Sequence, residues 1–328
     1  MVLLVVSAVA SEQQLAEVSR SMAEEHLVTA FCFGIKQVMV LVNKMDLVGY
    51  SEQAFVETKA KAFKHMKKAG FKVTEDSVCI PISALEGDGF LSIPSRLSWY
   101  DGPCFLQALD YVSLPTRMEH KSFRMVIDQV FKVKGIGDVL CGKVGRGTLH
   151  LHDSINVYPS SVEQATVKSI ETHGNAVACA KPGDDIGISL SKKQVAKASP
   201  LPPRKYCRGM IVGLSTEPAV PVMKRFEVQL FIIGKNVSLK VGGKPTILTH
   251  LCAMQVKIIR LVETLGKNNT VLSRDPDVMK TGDTCIIEFE AHEAIAAETI
   301  HDSPKLSRFV IQSNRMTVAI GFIRAKLS

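Results

Sequence analysis

"QVMVLVNKMDLV", residues 37–48, decides the fold of the first part of this 328-residue chain. Its first half is a continuous apolar run, which is typical of a buried strand in a parallel sheet. Asn43, Lys44 and Asp46 follow directly, and the pattern after them predicts a helix over residues 51–69. Because strands and helices alternate in this way, the sequence predicts a doubly wound α/β sheet.

The spacing Asn-Lys-x-Asp at a strand-to-helix turn predicts a loop that reads guanine. The Asp46 carboxylate can accept hydrogen bonds from both N1–H and the N2 amino group, and no other common base presents two donors at that edge. The Asn43 amide would support the loop and the purine, and the aliphatic stem of Lys44 would lie along the plane of the base.

A second element strengthens this prediction. In "CIPISALEGD", Ser83, Ala84 and Leu85 end the next apolar strand, 40 residues after Asn43. A turn of this kind can offer a backbone N–H to guanine O6. In this order along the chain, the two motifs together indicate a base-reading site.

The phosphate side of a nucleotide site is missing from the sequence. A phosphate loop requires G-x-x-x-x-G-K-[ST], whose amides hold the phosphates and whose hydroxyl reaches magnesium. The near match at residues 137–144 has Val144 in place of the hydroxyl, and alternating β sequence follows it instead of a helix. D-x-x-G at residues 184–187 also lies within β sequence. The prediction is therefore a GTP site with its base-reading half only, with no bound magnesium and no catalytic residue.

Other features predict no additional chemistry. His150 and His152 would face one side of a strand without a third ligand nearby, which favours surface residues over a metal site. The eight scattered cysteines form no C-x-x-C pair, which suits a reducing compartment. The N-terminal "MVLLVVSAVAS" ends like a signal-peptide cleavage site but has no basic n-region, so it predicts a buried strand. No apolar run reaches the ~18 residues of a membrane span, so we expect a cytoplasmic protein with no membrane partner.

The second part of the chain has a different texture. After Pro115, short apolar runs separated by Gly, Pro or Asp indicate all-β barrels, and "SPLPPR" at residues 199–204 is a predicted joint. The predicted domains are 1–115, a truncated GTP-binding domain, and two β-barrels at 116–202 and 203–328.

Charge is unevenly distributed between these parts. Residues 1–115 carry 10 Lys and Arg against 13 Asp and Glu, a net charge of −3. Residues 116–328 carry 30 against 19, a net charge of +11. A basic half indicates a polyanionic partner. Scattered solubilising charge is the alternative, because the chain has no long run of Lys or Arg.

These residues resemble the eukaryotic elongation factor 1-alpha group, including its divergent elongation-factor-like relatives. "FGIKQVMVLVNKMD" and "PISALEGD" are similar to the family's guanine loops, with Ala84 and Leu85 in place of Gly-Trp. "VFKVKGIGDVLCGKV" resembles the opening of the family's second domain, and "LSRFVIQSNRMTVAIGFIR" resembles its closing segment. The resemblance runs from Met1 to the C-terminus.

The resemblance implies the C-terminal half of a P-loop GTPase domain followed by two all-β barrels. It implies GTP-dependent delivery of aminoacyl-tRNA to the ribosome, with a nucleotide exchange factor as a further partner and a monomeric chain. It places Glu171, in "VKSIETHGN", near the tRNA 3′ adenosine, with His173 at the first His of that motif.

The departures from the family leave the activity open. The family's P-loop, magnesium-binding switch I and catalytic His all lie before the equivalent of Met1, so we expect GTP hydrolysis to be impaired or lost. We also expect the first strand to form an apolar sheet edge. The alternatives are a non-enzymatic module that binds tRNA, ribosome or protein, and a relative that acts in termination or ribosome rescue. A gene-model artefact and a genuine paralogue both fit the truncation.

Overall fold

The computed structural model of the chain describes residues 1–9, 22–74, 77–159, 162–191, 194–195, 206–234, 236–249, 251–266, 269–313 and 316–328. Within it the chain divides into two compact units, Met1–Pro115 and Thr116–Ser328. The division falls where the sequence changes from alternating strands and helices to short strands alone. Each unit is described by itself.

The first unit contains a parallel sheet and helices, as predicted. In its described part the strands are β1 (Val2–Ser7), β2 (Val38–Asn43) and β3 (Cys79–Pro81), which run parallel in the order β1-β2-β3. The helices are α1 (Met22–Cys32), α2 (Glu52–Lys68) and α3 (Phe105–Asp110). Short 3-10 helices lie at Met45–Val48 and Ser95–Leu97.

Helix α2 shows how local sequence sets these elements. Ser51 is its N-cap, and the hydroxyl accepts a hydrogen bond from the backbone N–H three residues on, at 3.3 Å. Phe55, Ala62 and Met66 are buried and share one face of the helix. The chain then leaves the helix through Gly70, whose φ of 99° suits a residue without a Cβ. The helix predicted over residues 51–69 is confirmed.

Strand β1 lies at the edge of this sheet. β2 pairs with a strand on each side, whereas β1 pairs with β2 alone among the described strands. Leu3 and Val5 of β1 are 41% and 57% exposed. The expected apolar edge is therefore present in the described part of the unit.

The second unit begins with a closed six-stranded barrel. The strands are β4 (Arg124–Val133), β5 (Gly137–Arg146), β6 (Leu149–His150), β7 (Ser154–Tyr158), β8 (Val162–Glu163), β9 (Ala165–Thr172), β10 (Asn175–Ala176), β11 (Cys179–Ala180), β12 (Asp185–Leu190), β13 (Gln194–Val195) and β14 (Ile211–Leu214). The ring order is β9-β12-β5-β4-β14-β7, closed by pairing of β7 with β9. The core forms because alternate residues along each strand point inward, as Met125 and Ile127 do on β4.

A second closed barrel follows. Its strands are β15 (Val222–Ile232), β16 (Ser238–Leu239), β17 (Thr246–Thr249), β18 (Cys252–Leu265), β19 (Val271–Arg274), β20 (Met279–Lys280), β21 (Thr284–Ala296), β22 (Arg308–Ser313) and β23 (Met316–Lys326). The ring order is β17-β22-β23-β15-β21-β18, closed by pairing of β17 with β18. Phe226, Phe289 and Phe309 are buried at the centre of the barrel, and successive aromatic rings meet edge to face with centroids 6.1 and 6.2 Å apart. The predicted fold class, a partial GTPase-type α/β domain followed by two all-β barrels, is confirmed.

The junction between the barrels involves a strand from beyond the predicted joint. Residues 199–204 and the predicted boundary at 202/203 lie outside the described residues, so the division into domains at that point stays a prediction. β14 follows that point in the chain, yet it pairs with β4 and β7 of the first barrel.

Buried contacts join the two barrels within the second unit. Val126 and Ile211 of the first barrel pack with Val220, Ala296 and Leu306 of the second. Beside this apolar contact, the buried carboxylate of Glu298, which follows β21, accepts hydrogen bonds from Arg124 and Arg146 of the first barrel.

Candidate functional site

The predicted base-reading residues lie at the carboxyl edge of the parallel sheet. Asn43 is the last residue of β2, and Lys44 follows with a left-handed φ of 66°. Asp46 lies in the 3-10 helix that this bend begins. Because β2 and β3 are parallel and Val42 is paired with Pro81, the turn after β3 lies beside Asn43.

Side-chain hydrogen bonds hold these two loops together. Oδ1 of Asn43 accepts from the backbone N–H of Lys44 at 2.7 Å and of Ala84 at 3.0 Å. The hydroxyl of Ser83 donates to Oδ1 of Asp46 at 2.6 Å. Each carboxylate oxygen can accept two hydrogen bonds, so Asp46 keeps acceptor capacity for a ligand. The sequence-predicted residues are thus brought together by contacts that span about forty positions of the chain.

The turn at residues 83–86 uses most of its polar groups internally. Ser83 is buried, whereas Ala84 and Leu85 are exposed. The N–H of Ala84 is bonded to Asn43, and the N–H of Glu86 donates to the Ser83 hydroxyl at 3.3 Å. Among the described residues, the Leu85 N–H forms no hydrogen bond with the protein, so this donor is available to a ligand acceptor.

A cluster that sequence reasoning missed lies next to these loops. The Tyr50 hydroxyl donates to Oδ2 of Asp88 at 2.5 Å, and Nη2 of Arg96 lies 2.8 Å from the same oxygen. The guanidinium of Arg96 lies over the Tyr50 ring at 4.8 Å. Burial, with the hydrogen bond to Asp88, raises the pKa of Tyr50 to about 12, so its hydroxyl stays protonated at neutral pH. No motif or periodicity in the sequence marks Tyr50 or Arg96, and Asp88 ends the stretch PISALEGD without an assigned role.

The residues carried over from the family resemblance lie on the first barrel. Glu171 is exposed on β9, where it pairs with Ala176 of β10 and Gly187 of β12. His173 is exposed in the following turn with a φ of 49°, and its Nδ1 lies 3.1 Å from the Thr172 hydroxyl. The two residues therefore lie at the same end of one sheet.

Gly187 leaves a notch beside Glu171. Gly187 is paired with Cys141 on one side and with Glu171 on the other. A Cβ at Gly187 would lie 3.4 Å from Sγ of Cys141 and from Cγ1 of Val139. Burial, together with the nearby carboxylates of Asp128 and Glu171, raises the pKa of the Cys141 thiol. In the row Cys141-Gly187-Glu171, the middle residue therefore has no side chain between a thiol and a carboxylate.

The motifs set aside in the sequence lie in β structure. Residues 137–144 belong to β5, which pairs antiparallel with β4 and leads into no helix. Residues 184–187 run into β12. The prediction that His150 and His152 share one strand face is wrong, because β6 ends at His150 and His152 lies in a turn with a φ of 72°. Among the described residues, no group of three or more His, Cys, Asp or Glu could hold a metal ion.

In the described part of the chain, none of the helices combines the length and the apolar character needed to cross a membrane.

Two family models match the chain. Residues 1–132 match the model described as the elongation factor Tu GTP binding domain. Residues 225–324 match the model described as GTP-eEF1A C-terminal domain-like. The first match includes both loops predicted to read the base, and the second lies in the second barrel.

Solved structures share this arrangement. Apo translation elongation factor SelB from Methanococcus maripaludis gives a TM-score of 0.71 at 19% identity, over 99% of this chain and 63% of that one. Sup35 complexed with GDP gives 0.55 at 24% identity, over 99% of this chain and 78% of that one. At these identities the likeness shows the fold alone.

Sequence relatives define the family. Elongation factor 1-alpha of Pyrococcus furiosus is 32% identical over 308 residues, which cover 92% of this chain and 69% of that protein. The Thermofilum pendens protein of the same name is 32% identical over 323 residues, 98% of this chain and 72% of that one. The chain belongs to the elongation factor 1-alpha family, and the resemblance seen in the sequence is confirmed.

Proposed function

We propose that the chain is a translation factor of the elongation factor 1-alpha type whose first unit reads guanine. The observation that supports this is the bonding of the two loops, in which Asn43 holds Ala84 and Ser83 holds Asp46. Asp46 would accept from N1–H and the N2 amino group of the base, and the backbone N–H of the exposed residue Leu85 would donate to O6. The stem of Lys44, which is exposed, would cover one face of the purine.

The proposal for the phosphates is that this polypeptide gives them no dedicated cradle. No stretch of the 328 residues combines a G-x-x-x-x-G-K-[ST] sequence with a following helix. Charge-assisted hydrogen bonds contribute ~1.5–3 kcal/mol each, so four fewer at about 2 kcal/mol weaken binding roughly a million-fold. We therefore expect residues 1–328 by themselves to bind GTP no more tightly than in the millimolar range, to hold no magnesium and not to hydrolyse GTP.

The second unit is proposed to bind the acceptor end of aminoacyl-tRNA. The net charge of +11 on residues 116–328 supports phosphate contacts, and the notch at Gly187 beside Glu171 offers a place for the 3′ adenosine, with His173 nearby. The remaining proposals are a first domain at 1–115, the ribosome and a nucleotide exchange factor as partners, a monomeric chain, and the cytoplasm as its location. The two barrels predicted at 116–202 and 203–328 are proposed to meet after β14, because that strand pairs within the first barrel.

The test compares the binding of GMP and AMP by saturation-transfer NMR. The wild-type polypeptide should bind GMP at least tenfold more tightly than AMP, because only guanine presents two donors to Asp46. Asp46→Asn should lose that preference and favour XMP, since an amide can donate to the carbonyl that xanthine has at C2. Asp101→Asn, an exposed carboxylate of the same unit, is the matched control and should behave as wild type.

Two results would contradict the proposal. If wild type binds GMP and AMP alike, no base-reading site exists, and a non-enzymatic binding module becomes the better description. If Asp46→Asn keeps the preference for GMP, the base is read elsewhere. Millimolar GTP affinity is checked in the same titration, and magnesium-dependent binding in the micromolar range would refute the account of the phosphates.

A further inference from the structure

The cluster of Tyr50, Asp88 and Arg96 connects three separate segments of the first unit. Tyr50 follows the loop that carries Asp46, Asp88 closes the turn that carries Leu85, and Arg96 lies in the 3-10 helix Ser95–Leu97. The Asp88 carboxylate is the common acceptor for the other two side chains. Its side chain is 13% exposed and that of Arg96 is 50% exposed, so the ion pair is partly shielded from solvent.

The backbone of Asp88 closes the turn by two hydrogen bonds with Ser83. Its N–H donates to the Ser83 carbonyl at 3.1 Å, and its carbonyl accepts from the Ser83 N–H at 3.1 Å. This pair of bonds closes the four residues 84–87 into a loop. Because the Ser83 hydroxyl also bonds to Asp46, a displacement of Asp88 would move both the exposed N–H of Leu85 and the partner of the base-reading carboxylate.

The segment that carries Arg96 is firmly anchored. Leu97 is fully buried, and Trp99 packs on Phe55 of α2 with ring centroids 5.2 Å apart. The indole Nε1–H of Trp99 donates to the Tyr50 carbonyl at 2.8 Å. The backbone that carries Arg96 is therefore held by buried neighbours. The Arg96 side chain extends from it to Asp88 and stacks on the Tyr50 ring.

We propose that Arg96 is a positioning residue for guanine recognition, which acts by holding Asp88 so that the 83–88 turn keeps its distance from Asp46. Tyr50 is the second support of the same carboxylate. The inference rests on the proposed guanine site, but Arg96 and Tyr50 belong to neither of the base-reading motifs.

The experiment measures GMP and AMP binding by Arg96→Gln, Arg96→Lys and Tyr50→Phe polypeptides of full length. Arg96→Gln should weaken GMP binding about tenfold, equivalent to about 1.4 kcal/mol, and leave weak AMP binding unchanged. Arg96→Lys keeps the charge near Asp88 and should recover part of that loss. Tyr50→Phe removes one oxygen and should weaken GMP binding about threefold. Arg274→Gln, which removes a 78%-exposed arginine from the second unit, is the matched control.

Two structural readouts accompany the titration. The chain has a single tryptophan, so its indole N–H gives one assigned NMR signal that reports on the Tyr50 carbonyl. Amide hydrogen exchange over residues 83–89 should quicken in Arg96→Gln and stay as in wild type in Arg274→Gln, because the turn loses its support.

The outcomes separate this inference from the proposed function. If wild type prefers GMP and Arg96→Gln keeps both that preference and the slow exchange, Arg96 does not position the turn, although the guanine site stands. If wild type shows no preference for GMP, the site and the role of Arg96 both fail. If the indole signal shows that Arg96→Gln is unfolded, Tyr50→Phe decides, and unchanged GMP binding by that variant overturns the inference.

Discussion

Replacing Glu298 by glutamine should destabilise the second unit more than any surface change. Oε1 of Glu298 accepts from Nε of Arg124 at 2.8 Å and from Nη2 of Arg146 at 2.7 Å. The exposures of the three residues are 1%, 3% and 8%. Burial lowers the pKa of Arg146, and the charge of Glu298 opposes that shift, so the carboxylate is what makes two buried cations tolerable.

The loss of unfolding free energy can be estimated from the hydrogen bonds that the two arginines retain in the variant. Arg124 would still donate to the carbonyls of Phe123 and Pro218, and Arg146 to those of Ser122 and Asp302. Both guanidinium groups would therefore stay in place without their counter-charge. Removing one partner of a buried ion pair costs ~3–5 kcal/mol. For a unit of this size, that lowers the melting temperature by roughly 6–20 °C.

The assay is calorimetric unfolding of the full polypeptide. Glu227→Gln is the matched control, because its ion pair with Arg324 is 3.2 Å long but its side chains are 25% and 40% exposed. Partly exposed pairs contribute ~0–1 kcal/mol, so this variant should melt within about 4 °C of wild type. If Glu298→Gln melts no lower than Glu227→Gln, the buried carboxylate does not hold the barrels together.

Two further predictions concern the polyanion and the sheet edge. Binding of aminoacylated tRNA should fall steeply with salt concentration, because each neutralised phosphate releases counterions. Glu171→Ala should reduce the preference for aminoacylated over bare tRNA without changing the salt slope. Asp275→Ala removes another exposed carboxylate and should leave both the preference and the slope unchanged. A flat salt dependence would contradict the phosphate contacts, and an unchanged preference would contradict the role of Glu171. In hydrogen exchange, the amides of residues 2–7 should be less protected than those of β15 and β21. The reason is that β1 pairs with β2 alone among the described strands, whereas β15 and β21 each pair with a strand on both sides. Equal protection would show that the edge of β1 is covered.

Much of the first unit could be predicted because its determinants are local. The apolar run before Asn43 specifies a buried strand, and Ser51 and Gly70 lie directly at the ends of the helix that they limit. The base-reading motifs were also visible, because each consists of a few adjacent letters after a strand. The sequence did not show which backbone N–H of residues 83–86 stays available for a ligand. That depends on the hydrogen bond from Ala84 to Asn43, which lies 41 positions away in the chain.

The second unit shows the limit of sequence reasoning. Alternating apolar residues predict β-strands and barrels, because the side-chain period of two is a property of each strand alone. The pairing of β14 with β4 and β7, which precede the predicted joint in the chain, could not be predicted in this way. It depends on closure of the barrel, because β4 and β7 would each have an unpaired edge without β14.

The sequence by itself therefore determined the fold class and the family resemblance, and it predicted the base-reading residues. Only the tertiary structure showed which charged residues meet. Arg96 contacts Asp88 in the first unit, and Glu298 in the second unit lies 174 and 152 positions from its two arginines. The physical reason is that a hydrogen bond or ion pair depends on distance in space, and no local pattern records which distant residues a closed barrel or a folded turn brings within 3 Å.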